Sequence, residues 1–284
     1  MIIVPQQVTA SGNRTRLMAC SNIPPPCSRA RAFYDLSFSQ ALVAAKMECP
    51  LDNHHTLSGK TVLIIGAGRF GRRAARILST SPDRPALIVV LDRDPARLMA
   101  LQELDVQTRL FEGVEFLVRN TPSLDPSSII VPAVPVHLAF LWLKHYPYTK
   151  YDFRQVPVPV ALKPHLPFTW PGSEGSLLVS YADFHCPEDC PEPPFHCTVT
   201  GKRRELPLYR LLSRLDLPGY GVHIVRSRQL APGVGGYMVA DLKGLSKRIE
   251  QSRRKRWLLG TACRCHGIIT ALEIIPTKDA QTGS

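Results

Sequence analysis

The sequence predicts an α/β protein: a doubly wound, mostly parallel sheet with helices on both faces, and a cysteine-rich C-terminal half. Three observations carry that expectation. Apolar, β-branched runs such as "VLIIG" and "LIVVLD" alternate with segments of helical periodicity, a pattern of parallel strands joined by crossover helices. The triplet Gly66-x-Gly68-x-x-Gly71 sits directly between one such run and a helical segment. Finally, "HCPEDCPEPPFHC" (185–197) and "TACRCHG" (261–267) place five cysteines in the second half of the chain.

Taken in order, residues 1–56 read as a poorly ordered extension. They include the proline-rich "SNIPPPCSRA", and only residues 31–47 hint at an amphipathic helix. Cys20, Cys27 and Cys49 fall here and receive no role. Residues 57–148 read as a nucleotide-binding domain. A strand, a glycine turn and a helix with Phe70, Ala74, Ile77 and Leu78 on its buried face come first. A strand ending at Asp92 follows, then a helix over "PARLMALQEL", strands at "VEFLVRN" and "SIIVPAV", and a helix through Trp142.

Residues 149–284 read as an α/β domain carrying a metal site. A proline-rich crossing leads to the strand "SLLVSYADF", which enters the first cysteine stretch. The helix "LYRLLSRL", the strand "GVHIVRSRQ", a basic helix and the strands "WLLGTACRC" and "GIITALEII" complete the pattern.

The glycine triplet has a physical reading at each position. The first glycine permits the tight turn, the second clears space for a pyrophosphate, and the third lets helix and strand pack closely. The free N–H groups of the helix start then face the phosphates. Asp92, 21 residues after Gly71, stands where an acid accepts hydrogen bonds from the adenosine ribose. Its charge favours NAD over NADP, while the adjacent Arg93 offsets that preference. The dinucleotide candidates are therefore Gly66, Gly68, Arg69, Phe70, Gly71, Asp92 and Arg93.

"VLIIGAGRFGRRAARIL" and "VVLDRDPARLMALQEL", about residues 60–105, resemble the nucleotide-binding domain of bacterial potassium-channel and transporter regulators of the TrkA-N or RCK type. Many dehydrogenases with a Rossmann NAD(P)-binding domain share the same features. The resemblance implies phosphate contacts from Gly66, Gly68 and Gly71 and a ribose contact from Asp92. That regulator family carries a glycine-aspartate-alanine signature after its third strand; this chain has "VRNTPSLDP" at the position so read.

The metal candidates are Cys186, Cys190, Cys197, Cys263 and Cys265. Close thiolates repel one another and need a cation to neutralise them, and the first pair falls in the C-x₂₋₄-C range of metal sites. Both clusters follow a predicted strand. If those strands are parallel members of one sheet, both clusters emerge at its carboxyl edge. An iron–sulfur cluster is favoured, because cysteine followed by proline recurs in its ligand runs. Zinc is the alternative, with His185, His196 or His266 as further ligands. Unpaired buried thiols or a reversible disulfide would also account for the cysteines.

His137 falls where a dinucleotide's reactive ring passes, and reads either as a proton donor or as a satisfied histidine at a helix start. "APGVGGY" (231–237) reads as an anion-binding turn or a flexible one. Between Lys202 and Arg256 there are 14 Lys/Arg against 4 Asp/Glu, within a net charge of +12. A solvated helix face accounts for that run better than nucleic acid does. No apolar run reaches membrane-spanning length and no secretory signal is visible. The expected location is the reducing cytoplasm, where grouped cysteines hold metals or do redox work. The expected partners are a dinucleotide, a small molecule or redox partner, and a second copy of the chain. The reading is thus an NAD(P)-linked oxidoreductase or redox sensor, or else a non-catalytic regulatory module with structural zinc.

Overall fold

The computed structural model describes residues 56–146 and 151–276. Nearly all of the expected N-terminal extension, with Cys20, Cys27 and Cys49, lies outside the described residues. The molecule is α/β, and its strands form two mixed sheets.

Four parallel strands open the first sheet: β1 (Thr61–Ile65), β2 (Leu87–Asp92), β3 (Gln107–Leu110) and β4 (Ile129–Pro132), in the order β3-β2-β1-β4. Buried on both faces, β1, β2 and β4 read as unbroken apolar runs. The edge strand β3, "QTRL", is exposed throughout and carries no apolar signal. Helices α1 (Arg69–Ser79), α2 (Pro95–Met99), α3 (Gly113–Asn120) and α4 (Leu138–His145) link the strands or follow them. Asp94 caps α2 by accepting from Ala96 N at 2.9 Å, with Pro95 at the first helical position.

The segment "VEFLVRN", expected as a strand, is instead most of α3. The Glu112 carboxylate caps it by accepting from Glu115 N at 2.7 Å, and Glu115 pairs with Arg119 one turn later. These local polar contacts outweigh the β-preference of Val114, Phe116 and Val118. The stretch "VRNTPSLDP" therefore belongs to the end of a helix and the loop after it, not to the end of the third strand. The residues after the third strand are Phe111, Glu112 and Gly113.

The second sheet, which follows in the chain, is mainly antiparallel, contrary to a single, mostly parallel sheet. Its strands are β5 (Tyr151–Val156), β6 (Phe168–Pro171), β7 (Leu177–Ser180), β8 (Tyr220–Arg226), β11 (Arg256–Ala262) and β12 (His266–Pro276). The order is β6-β7-β12-β11-β8, with β5 also on β12 and only β8 parallel to its neighbour. Geometry dictates the difference: Cys263 to Cys265 alone join β11 to β12, and so short a link permits only a hairpin.

A second hairpin returns to the first sheet. Ser227 alone separates β8 from β9 (Arg228–Ala231), which turns through Pro232 and Gly233 into β10 (Val234–Met238). There β10 pairs antiparallel with β4. The expected division at residue 148 is thus not a division between sheets.

Helices α5 (Leu208–Ser213) and α6 (Val239–Glu250) complete the layers. One core joins the sheets: Leu63, Ile65 and Ile130 of the first and Leu259, Leu272 and Ile274 of the second share it with α4 and α6. The outer face of the first sheet packs on α1 and α2, and that of the second on α5. Val239, Leu242, Leu245 and Ile249 of α6 are buried as their spacing predicts. Several cations in the basic stretch serve the fold: Lys243 Nζ donates to Leu124 O at 3.1 Å, and Arg228 pairs with Asp241 at 2.7 Å.

His137 occupies the N-cap position of α4 without a side-chain capping bond, and its ring is buried between the sheets. Its Nδ1 lies 2.8 Å from Thr270 Oγ1 and its Nε2 3.0 Å from Thr261 Oγ1. This is the satisfied helix-start histidine. Burial pushes its pKa down to about 3, and burial with Arg248 nearby pushes His223 down to about 4. Both are neutral in the folded protein, whereas an unfolded histidine takes its proton near 6.5. Stability is therefore fully present above about pH 6.5 and is lost as pH falls toward the folded values. The thermal midpoint is expected to drop steadily from pH 6.5 to 4, and His137→Gln to flatten that slope. Parallel slopes in scanning calorimetry would refute this assignment.

Candidate functional site

The glycine turn leaves β1 at Gly66, whose φ of +100° lies in the region glycine favours. A Cβ there would lie 2.8 Å from Ala133 O, and one at Gly71 would lie 1.8 Å from Gly66 O. A Cβ at Gly68 would meet no atom within 4 Å. Gly66 and Gly71 are thus required by packing, and Gly68 faces open space at the start of α1.

Asp92 is 7% exposed and holds this turn from the end of β2. Its Oδ2 accepts from Ala67 N at 2.7 Å and its Oδ1 from Asp94 N at 2.9 Å. Arg97 approaches it at 3.8 Å, and Arg93 is exposed. Asp92 therefore positions the glycine backbone, and its charge is partly countered. Phe70 is half-buried under the guanidinium of the exposed Arg69, 5.9 Å from ring centroid to Cζ.

Both cysteine loops reach the same end of the second sheet. β7 and β11 each pair antiparallel with β12 between them, so they run in the same direction, though as members of the antiparallel sheet. Tyr181 N donates to Cys265 O at 3.0 Å across the gap. Cys186, Cys190, Cys263 and Cys265 line one cavity of about 90 Å³ together with His266. Cys186 Sγ lies 3.4 Å from His266 Nε2, and Cys263 Sγ 4.0 Å from His266 Nδ1. Cys197 lies apart from that cavity, in the turn closed by Cys197 N donating to Lys202 O at 2.9 Å. His185 and His196 are exposed. All five thiols are free, and among the described residues no three Cys, His, Asp or Glu side chains stand ready around a metal position.

The thiols differ electrically. Burial pushes Cys263 upward, reinforced by the charge of Glu192; burial pushes Cys265 upward too, against the pull of Arg204. At Cys197 burial is outweighed by hydrogen bonds at Thr200 and Val199 and by Arg204, so its pKa falls. Both thiols would have to lose their protons to hold a metal, at a cost that their raised pKa values increase.

Several residues that build this site have another role in the sequence reading, or none. Gly233, in the β9–β10 turn, has φ of +71°, and a Cβ there would lie 1.5 Å from Glu188 O. Its N donates to Cys190 O at 3.2 Å, as does Gln229 Nε2 at 2.8 Å. "APGVGGY" is therefore a clasp on the Cys186–Cys190 turn. Glu192, at a φ of 48°, accepts from Arg264 N through its carboxylate and from Arg264 Nη1 through its carbonyl at 3.2 Å. Arg204 Nη1 donates to Cys265 Sγ at 3.1 Å. A weak signal was present: acids and amides lie between or near the cysteines, where a solvated loop would place them equally well.

The glycine turn and the thiol pocket adjoin. Arg69 at the start of α1 pairs with Glu188 of the cysteine turn, and Arg73 approaches the same carboxylate at 4.0 Å. Pro132, the end of β4, lines the thiol cavity. Among the described residues no helix is long and apolar enough to cross a membrane.

Comparison with known proteins finds similar sequences elsewhere. Residues 136–275 match a family model described as "Uncharacterized protein, C-terminal domain" (AF_1314_C). An "Uncharacterized protein" of Archaeoglobus fulgidus is 34% identical over 233 residues, which cover 74% of this chain and 98% of the relative. The chain belongs to the family of this archaeal protein.

Proposed function

We propose that the chain binds a nicotinamide dinucleotide, NAD or NADP, at the glycine turn and links it to a metal held by the adjoining cysteines. The protein would act as an oxidoreductase or a redox sensor. One observation carries the reading: the carboxyl end of β4, beside which a dinucleotide's reactive ring passes in such folds, forms a wall of the four-cysteine cavity at Pro132.

The residue types suit both groups, although the thiols would have to draw together to surround a metal. Gly66 and Gly71 hold a tight turn while Gly68 leaves the space a pyrophosphate needs. Arg69 adds positive charge beside it, and Asp92 keeps the turn in place through Ala67 N. Four thiols and His266 around one small cavity make a soft donor set suited to iron–sulfur or zinc. Cys186, Cys190, Cys263 and Cys265 would hold the group, with Arg204 offsetting thiolate charge. An iron–sulfur cluster supplies one-electron exchange, and zinc a fixed charge without redox change. The TrkA-N or dehydrogenase resemblance agrees with the nucleotide part.

Gly68→Ala tests the nucleotide part. The added methyl meets no protein atom, so the thermal midpoint should stay constant while NADH and NADPH affinity falls at least tenfold in calorimetric titration. Unchanged affinity, or no binding by the parent protein, would overturn it. Metal analysis after anaerobic purification reads the other half: iron with labile sulfide supports it, zinc alone points to a non-catalytic nucleotide-binding module, and neither removes it.

A further inference from the structure

A second cavity, of about 410 Å³, opens beside the thiol pocket and shares Cys186, Cys190 and Cys265 with it. Its volume lies within the roughly 300–1,000 Å³ range of small-molecule pockets. Cys197 lines only this cavity, and Cys263 only the first. The wall combines apolar and cationic groups. Phe168 is 45% exposed and Val199 52% exposed, and both line the cavity. They are two of the six large hydrophobic side chains exposed among the described residues. Single exposed apolar residues are ordinary; two on one concave wall beside a group of cysteines mark a place where an apolar body can be covered.

Lys202, Arg203 and Arg204 supply three positive charges to the same wall, against Asp183 and Glu205. Lys202, Arg203, Asp183 and Glu205 are exposed, whereas Arg204 is half-buried and reaches the thiols. Its two Nη atoms are occupied, by Cys265 Sγ at 3.1 Å and by the carbonyls of His196 (2.9 Å) and Pro193. Its Nε is shielded from solvent and has no acceptor among the described residues. A buried donor left without a partner is unfavourable, and a ligand acceptor that the Arg204 side chain turned to meet would satisfy it.

We infer that this cavity binds an amphipathic organic anion, with its charged group directed to Arg204 and its apolar body against Phe168 and Val199. Such a ligand would touch Cys186, Cys190 and Cys265 from a cavity separate from the one beside the glycine turn. The inference deepens the proposed function by naming the class of the second ligand at the thiol centre, but binding itself requires no dinucleotide.

The test uses the full chain and a fluorescent aromatic sulfonate, 1-anilinonaphthalene-8-sulfonate, against its uncharged analogue N-phenyl-1-naphthylamine. The sulfonate should bind at least tenfold more tightly than the analogue. Val199→Glu and the double change Lys202→Gln with Arg203→Gln, all at exposed positions, should each weaken it at least fivefold. Saturating sulfonate should also slow iodoacetamide labelling of Cys197 at least fivefold, read by peptide mass spectrometry, and leave Cys263 unaffected. Equal affinity for the uncharged analogue, unaltered binding by the variants, or unprotected Cys197 would each overturn the inference. NADH titration of the same samples separates the two readings. Charge-dependent sulfonate binding without NADH binding leaves the cavity standing and removes the dinucleotide, and the reverse result does the opposite.

Discussion

Gly71→Ala should abolish dinucleotide binding and lower the thermal midpoint by roughly 2–8 °C. The new Cβ would lie 1.8 Å from Gly66 O and 2.8 Å from its carbonyl carbon, with Ala133 Cβ at 3.4 Å. Two of these atoms are backbone in a turn that cannot swing aside, because Gly66 N donates to Leu91 O at 2.7 Å and Asp92 holds Ala67. Helix α1 must instead shift off β1, against the packing of Ala74, Ala75 and Leu78. Overpacking of this kind costs about 1–3 kcal/mol or more. That exceeds the helix-propensity gain of up to about 1 kcal/mol for alanine over glycine. At this chain length each kcal/mol moves the midpoint by roughly 2–4 °C. Scanning fluorimetry with NADH titration checks both parts, and Gly68→Ala is the matched control at the same turn. If the two variants melted alike, close packing at the third glycine would not be what holds the turn.

Gly233→Ala should open the thiol pocket while leaving the first sheet folded. Its Cβ would lie 1.5 Å from Glu188 O, at a backbone φ of +71° that alanine disfavours. The cysteine turn must retreat, losing the Gly233 N and Gln229 Nε2 bonds to Cys190 O and the pairing of Arg69 with Glu188. Iodoacetamide labelling of Cys186 and Cys190 should rise at least tenfold, and bound metal should fall to a small fraction of the parent value. Circular dichroism should change little, because the loss is confined to a hairpin tip and a loop. Unaltered labelling would mean that the clasp does not govern access to the thiols.

The parts legible in the sequence are those where one local rule dominates. β1, α1 and β2 could be read because strands buried on both faces leave continuous apolar runs and the glycine spacing is tied to a turn. The expectation that the cysteines of "HCPEDC" and "TACRC" meet rested on both following strands. They do line one cavity, through β7 and β11 on either side of β12. Cys197 does not join them there, because its own turn to Lys202 draws it into the neighbouring cavity.

Other elements were hidden for physical reasons. β3 lies at an exposed edge and has no burial pattern to display. In α3, Glu112 capping and the Glu115–Arg119 pair override residues that favour strands. The clasp by Gly233 depends on contacts between residues far apart in sequence, Glu188 and Cys190 among them, which no local periodicity reports.

The return of β10 to β4 bears on how the protein is made. β4 ends at residue 132, and the strand that covers its side begins only at residue 234. During synthesis the emerging chain carries an open strand edge through all the intervening translation, and such an edge is a template for pairing with other chains. The same hairpin both closes that edge and grips the cysteine turn, so a metal at the proposed site would be enclosed only after the C-terminal segment has left the ribosome.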